Sequence, residues 1–178
     1  MKYLIASDLH GSQYYAQKLI ERFVCEGADK IIILGDIYNH GPRNSLPKDY
    51  APMEVAKILN GIKDKLLVIK GNCDSEVDTM ISDFDFLDNV CLLFEEKTLF
   101  LTHGHVYNKD NMPKTQFNAV IYGHFHTGFI ERTGDAIVVN TGSLSLPKNQ
   151  TPNSYVTLEG GEIILKDIDG KVIDKVLL

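Results

Sequence analysis

Three short apolar runs alternate with two amphipathic helical stretches between Lys2 and Asp74, and this order constrains the fold more than any other feature of the chain. Lys2–Ala6 reads as a strand ending at Ser7-Asp8-Leu9-His10-Gly11. Ala16, Leu19, Ile20, Phe23 and Val24 then share one helix face, at i, i+3, i+4, i+7 and i+8, and Gly27 stops the helix. Ile31-Ile32-Ile33-Leu34 is continuously apolar, the mark of a strand buried on both faces, and ends at Gly35-Asp36. Tyr38–Pro52 is rich in Asn, Pro and Gly and reads as a long loop of the kind that often carries function. Val55, Ile58, Leu59 and Ile62 mark a second helix. Leu66–Lys70 is a third buried strand, ending at Gly71-Asn72-Cys73-Asp74. Strand–helix–strand–helix–strand implies a parallel sheet, and open α/β sheets bind ligands where their strands end.

The second half changes character. Strands are expected at Val90–Phe94, Thr98–Thr102, Ala119–Tyr122, Gly128–Glu131, Ala136–Asn140, Ser154–Leu158, Glu162–Ile168 and Lys171–Leu177, with hairpin turns at Gly160-Gly161 and Asp169-Gly170. At ~150 residues per domain, a chain of 178 residues is expected to form one domain over 1–178, built on two sheets. With 44% apolar and 24% charged residues, disorder and a fibrous fold are excluded.

No apolar stretch approaches the ~20 residues that cross a membrane, and Met1–Ala6 is too short for the apolar region of a signal peptide. Cys25, Cys73 and Cys91 form no CxxC pair, so neither a disulfide framework nor a thiolate zinc site is indicated. A cytoplasmic location without membrane attachment is expected. The net charge of −6, with no Lys/Arg cluster, argues against an extended nucleic-acid footprint. A small anionic substrate remains compatible if bound cations reverse the local field.

All six histidines lie in or beside the strand-terminal clusters. Asp8/His10 and His124/His126 each have i, i+2 spacing, which in extended chain points both side chains the same way. Imidazole, carboxylate and amide oxygen together suit Mn²⁺, Fe²⁺, Ni²⁺ or Zn²⁺. Asp8, His10, Asp36, Asn72, His103, His124 and His126 exceed what one tetrahedral site takes. Two ions sharing a carboxylate would use them all, the usual clamp for displacement at phosphorus. Taken singly, Asp8 could cap the following helix, Gly35-Asp36 could be a plain turn and Gly71-Asn72 a hairpin. Gly123-His124-Phe125-His126 is more specific, and the clusters taken in order leave the plain readings little room.

Asp8-x-His10, Gly35-Asp36, Gly71-Asn72, His103 and Gly123-His124-x-His126 resemble, in order, the motif set of the calcineurin-like metallophosphoesterases, over essentially the whole chain. The strings Asn39-His40-Gly41-Pro42-Arg43-Asn44, Leu101-Thr102-His103-Gly104-His105 and Gly142-Ser143 resemble the small bacterial phosphodiesterase branch of that family. The resemblance implies an α/β/β/α sandwich of two mixed sheets with a metal site at the strand ends. It implies a first ion on Asp8, His10, Asp36 and His126, a second on Asp36, Asn72, His103 and His124, and Asp36 as the bridge. Mn²⁺ is the expected metal, with Ni²⁺, Fe²⁺ and Zn²⁺ compatible.

The implied activity is hydrolysis of a small phosphodiester by metal-activated water attacking phosphorus in line. Phosphomonoesters, cyclic nucleotides and a scaffold role like that of the retromer small subunit are the rivals. Family members often form dimers or tetramers, and the sequence does not choose among oligomeric states. Many members have histidine where this chain has Cys73, which is read as a small filler rather than an acid or ligand. His40 and Arg43, in the long loop, are candidates for contact with substrate phosphate. His105 is read as a support for the ligands, and Phe125 as packing.

Overall fold

The computed structural model describes residues 1–178. The chain runs β1 (Tyr3–Ala6), α1 (Gln13–Glu26), β2 (Lys30–Ile33), α2 (Pro52–Asn60), β3 (Leu66–Ile69), α3 (Glu76–Thr79) and β4 (Phe86–Leu87). It continues with β5 (Val90–Phe94), β6 (Lys97–Leu101), β7 (Ala119–Tyr122), β8 (Gly128–Thr133), β9 (Ala136–Thr141), β10 (Ser154–Glu159), β11 (Glu162–Asp167) and β12 (Val172–Leu177). A seven-stranded sheet has the order β12-β11-β10-β1-β2-β3-β4, and a five-stranded sheet the order β5-β6-β7-β9-β8. Both are mixed. β1 to β4 are parallel, as the βαβ order requires, while β10 joins β1 antiparallel. β6, β7 and β9 are parallel, flanked by antiparallel β5 and β8.

The two-residue period of a strand sorts the apolar runs onto two faces. Leu4, Ala6, Ile31 and Ile33 face the helices, in a cluster with Leu19, Val55 and Leu59. Their neighbours Ile5, Ile32 and Leu34 face the other sheet and meet Leu99, Leu101, Ile121, Ile137 and Val139. A run with no polar alternation is therefore what a strand between helices and a second sheet requires. The outer face of the five-stranded sheet carries Phe100, Val120, Tyr122 and Val138. Its cover is not a helix but irregular chain that supplies Tyr107, Met112 and Phe117. That segment, with Gly104, Asn108, Asn111 and Pro113, lacks the periodicity for a helix.

Helix α1 starts at Ser12, whose Oγ accepts from Tyr15 N, and ends at Gly27 in the left-handed region (φ 59°). Asp8 is therefore not the helix cap. Two short elements escaped the sequence pattern. Strand β4 has two residues, and α3 is one turn closed by a capping box of Ser75 and Asp78.

Glu26, at the end of α1, ties the helix to the sheet. Its carboxylate accepts from the Tyr155 hydroxyl (2.7 Å) and Lys166 Nζ (2.8 Å), and lies 3.3 Å from Lys2 Nζ. Burial disfavours its charged form, but Lys166, Tyr155 and Lys2 more than compensate and hold it below the usual carboxylate range. Glu26→Ala is expected to cost about 1–3 kcal/mol by stranding these partners, read as a lower urea midpoint with unchanged activity. Because the folded pKa is depressed, this contribution exists above the ordinary carboxylate pKa and is lost as pH falls through the folded one. The gap between wild type and variant is therefore expected to close in acid.

Candidate metal centre

The parallel strands of both sheets end at one edge. Asp8 and His10 follow β1, Asp36 follows β2, Asn72 follows β3, His103 follows β6, and His124 and His126 follow β7. Five of these residues turn there through the left-handed region: Asp8 (φ 60°), His10 (φ 49°), Asp36 (φ 55°), His124 (φ 64°) and His126 (φ 59°). Each such non-glycine residue costs on the order of 1–3 kcal/mol and persists only where its surroundings over-determine it. Here the surroundings do so. The Asp8 carbonyl accepts from the Ser143 and Ser145 hydroxyls, both at 2.9 Å. His10 N donates to Asp36 O (2.9 Å), and His124 N to Asp8 Oδ2 (2.9 Å).

Buried Asp74 fixes the remaining loop, accepting from the backbone N–H groups of Asp36 (2.8 Å), Ile37 (2.8 Å) and Gly71 (2.7 Å). A Cβ on Gly71 would run into Asp36 Oδ1, so only glycine lets these two loops meet.

The left-handed turns overturn the expectation that His124 and His126 point the same way along extended chain, whereas Asp8 and His10 do converge, with His10 Nε2 3.4 Å from Asp8 Oδ1. His126 Nε2 lies 3.2 Å from Asp8 Oδ1 and 3.1 Å from His10 Nε2. His124 turns to the other half of the cluster, with Nδ1 3.3 Å from His103 Nε2. In that half, His103 Nε2 also lies 3.0 Å from Asn72 Oδ1 and 3.5 Å from Asp36 Oδ1. Asp36 Oδ2 faces the first half, 3.8 Å from His10 Nε2.

Backbone carbonyls determine which ring nitrogens face inward. Nδ1 of His10 donates to Asn39 O (2.7 Å), that of His103 to Leu34 O (2.6 Å) and that of His126 to Leu146 O (2.6 Å). A carbonyl only accepts, so these Nδ1 atoms carry protons and the Nε2 atoms of the neutral rings present lone pairs. Asp8 Oδ1, buried among them, has no hydrogen-bond partner. Lone pairs pressed this closely need a cation between them. Two atoms each about 2.1 Å from one ion, at 90–110°, lie about 3.0–3.4 Å apart, which is the spacing of most of these pairs. Asp8, His10 and His126 form one group able to hold a metal, and Asp8, Asp36 and His103 another.

Residues 1–162 match the model of the calcineurin-like phosphoesterase superfamily domain. The chain belongs to this superfamily. It is 44% identical over 161 residues to phosphodiesterase YfcE of Escherichia coli K12, covering 89% of this chain and 88% of the relative. It is 26% identical over 166 residues to the probable metallophosphoesterase YsnB of Bacillus subtilis 168, covering 89% and 83%. The solved structure of E. coli YfcE, described as a phosphoesterase, superposes with a TM-score of 0.96 at 40% identity, covering 99% of each chain. Vps29 of Chaetomium thermophilum superposes at 0.68 and 15% identity over 99% and 97% of the chains, a likeness of fold alone. The expectation of a phosphoester-hydrolysing enzyme rests securely on the family and on the 44%-identical relative.

In this calcineurin-like domain the paired lone pairs also draw protons. Burial disfavours a charge on His103, but Asp36 and Asp8 outweigh it and push the ring up to about 9. Burial would raise Asp8, yet the adjacent rings of His10, His126 and His103 hold it well below the usual carboxylate range. His124 is pushed down to about 4, first by burial and then by the neighbouring charge of His103. Burial and the Asp36 charge push the Cys73 thiol up to about 12, so it is neutral at pH 7, as the filler reading requires. Its Sγ accepts from Asn72 Nδ2 (3.3 Å), which leaves Asn72 Oδ1 turned toward His103.

A cleft of about 780 Å³ opens over the cluster. Asp36, Asn72, Cys73, His124 and His126 line it, as do Arg43, Asn44, Phe125 and Lys148. The structure brings Arg43 to the cleft but not His40, whose ring packs edge-on against Tyr50, 5.2 Å between centroids. The candidacy of His40 for substrate contact loses its geometric support, because the turn at Asn39–Gly41 sends its side chain out of the cleft while Asn39 and Gly41 line it. His105 lines an adjoining cleft with Lys70, Asp74 and Tyr107, its ring 5.4 Å from that of His103. The structure opens Phe125 to the cleft, where packing was expected; it is 43% exposed. Asp74 and Lys148 were not singled out in the sequence. A lone acid after Asn-Cys and a lone lysine after Leu-Pro carry no local signal of what they approach.

Two measurements test the centre. The proton on His103 stabilises the metal-free fold only below its folded pKa: the contribution is complete below ~6.5 and is lost as pH rises through about 9. The chelated protein is therefore expected to lose thermal stability by several degrees between pH 7 and 9.5, while the metal-loaded protein does not. Asp74→Ala is expected to abolish metal binding and lower stability, because three buried N–H groups lose their acceptor. Metal content and thermal melting read both effects.

Proposed function

We propose that the protein is a dinuclear metal-dependent phosphodiesterase acting on small phosphodiesters. The observation that carries this reading is the convergence of carboxylate, imidazole and amide lone pairs around the unpartnered, buried Asp8 Oδ1. The kinship to a named phosphodiesterase supports the reaction class. One ion would be held by Asp8, His10, Asp36 and His126, and the other by Asp36, Asn72, His103 and His124. Asp36 would serve both, since its two oxygens face opposite halves of the cluster. Mn²⁺ is the expected metal.

Bound there, two divalent ions would supply Lewis acidity that activates water and offsets negative charge on the phosphoryl oxygens. The chain's own groups do the rest. Carbonyls of Leu34, Asn39 and Leu146 hold three imidazoles in the tautomer that presents Nε2. Asn72 contributes an oxygen without a negative charge, which keeps its half of the site electrophilic. Arg43 and Lys148, on the cleft, offer cationic donors to phosphate oxygens. Water attacks phosphorus in line with the departing ester oxygen. No imidazole stands at Cys73 to protonate that oxygen, and a neutral thiol with a pKa of about 12 is a poor donor. Good leaving groups are therefore favoured, and cyclic nucleotides disfavoured.

We place the enzyme in the cytoplasm as one metallophosphoesterase domain over 1–178. Free Cys25, Cys73 and Cys91 support the compartment. The pairing of β12 with β11 in the seven-stranded sheet supports the domain's extent. No helix is long and apolar enough to cross a membrane.

Chelation is expected to abolish hydrolysis of bis-(nitrophenyl) phosphate and Mn²⁺ to restore it; full activity in verified metal-free protein would end the reading. Asp36→Asn is expected to abolish activity and to bind fewer than two metals per chain. Cys73→Ser is expected to leave kcat/KM on the activated diester within a few-fold, and Cys73→His to raise activity on poorer leaving groups. General acid assistance is typically worth ~10²–10⁴-fold, so a leaving-group series resolves the effect. A severe loss in Cys73→Ser would make the thiol a participant.

A further inference from the structure

Phe125 is the only phenyl ring among the residues lining the cleft over the metal cluster. It sits between His124 and His126, both in the left-handed region, so its own backbone is fixed on each side. Phe125 N donates to Gly123 O (2.7 Å), closing a tight turn. The ring is fixed as well. It stands edge-on to His124, with centroids 5.1 Å apart and planes at 78°, and edge-on to Tyr122, at 6.1 Å and 73°. Such edge-to-face contacts hold an aromatic ring in one orientation. Despite this packing, 43% of the residue remains exposed in a cleft whose other hydrophobic lining residue is Pro42. Water gains nothing from an apolar surface there; a planar apolar group on a bound phosphoester does.

From this we propose that Phe125 is a specificity-determining residue: a pre-oriented platform on which an aromatic ring borne by the substrate's phosphoryl group stacks. Because Phe125 shares the cleft with His124 and His126, its ring 5.1 Å from that of His124, the ligand class is a phosphoester with an aromatic group attached close to phosphorus, through the ester oxygen. The inference rests on the phosphodiesterase reading, because phosphorus must sit over the cluster for the ring to reach Phe125.

The test is calorimetric titration of the Mn²⁺-loaded protein with phenylphosphonate and with methylphosphonate. Both carry the same phosphoryl oxygens, and only one carries a ring. Aromatic stacking is typically worth ~1–3 kcal/mol, so wild type is expected to bind phenylphosphonate about tenfold more tightly. Phe125→Tyr is expected to keep this preference. Phe125→Leu, which retains apolar bulk and packing but has no ring face, is expected to abolish it and leave methylphosphonate affinity and metal content unchanged.

Equal affinity of wild type for the two phosphonates would overturn the platform while leaving the phosphodiesterase reading intact. Retention of the preference in Phe125→Leu would do the same, reducing Phe125 to packing against Tyr122 and His124. Failure of metal-loaded protein to bind either phosphonate would overturn both readings.

Discussion

The structure turns on one electrostatic constraint: lone pairs of two carboxylates, an amide and four imidazoles are brought together in a largely buried pocket and need positive charge among them. In the fold's own terms protons can meet part of this need, which is why His103 is pushed up to about 9 while Asp8 is held low. A divalent cation meets it better, since one ion accepts several lone pairs at once and a proton accepts few. Metal and proton would therefore compete for the same centre, and loading would be coupled to pH through the residues that would hold the ions.

Such a cluster is costly to assemble, and the surrounding chain is organised to keep it assembled. Left-handed backbone at Asp8, His10, Asp36, His124 and His126 is held by bonds that cross between elements. Asp74 gathers the turns after β2 and β3, and Ser143 and Ser145 secure the turn after β1 from the far end of β9. The two-sheet core supplies the rigidity. Strands buried between helices and a second sheet cannot shift without exposing apolar surface on both faces, so their ends stay in register.

The cleft is less uniform than the cluster beneath it. Its floor is set by the ligand-bearing turns, but its walls come from the loop after β2 and the chain after β9, where Arg43 and Lys148 lie. On the floor beside Asn72 stands Cys73, a thiol that burial and the Asp36 charge keep neutral. Phe125, 43% exposed, adds an apolar surface to the rim. On the readings proposed above, the two together would favour substrates whose ester group is both a good leaving group and planar.

The sequence by itself determined a great deal. Continuous apolar runs and helical periodicity gave the parallel β1–α1–β2–α2–β3 unit, because both faces of those strands had to be buried. Chemistry-bearing residues clustered at strand ends, so Asp8, His10, Asp36, Asn72, His103, His124 and His126 were legible as one set. Strand β4 and helix α3 were not, being too short to show a period. Nor was the division of the cluster: His124 and His126, two residues apart in sequence, turn to opposite halves because left-handed turns replace the extended chain that spacing alone suggests. Only the tertiary structure decided which nitrogen each imidazole presents. The carbonyls that decide it lie 29, 69 and 20 residues from His10, His103 and His126. It likewise decided that Arg43 faces the cleft and His40 does not, and that Asp74 is a clamp. Ligand identity is a local property of a side chain. Orientation, protonation and what a residue faces are set by groups that only folding brings near.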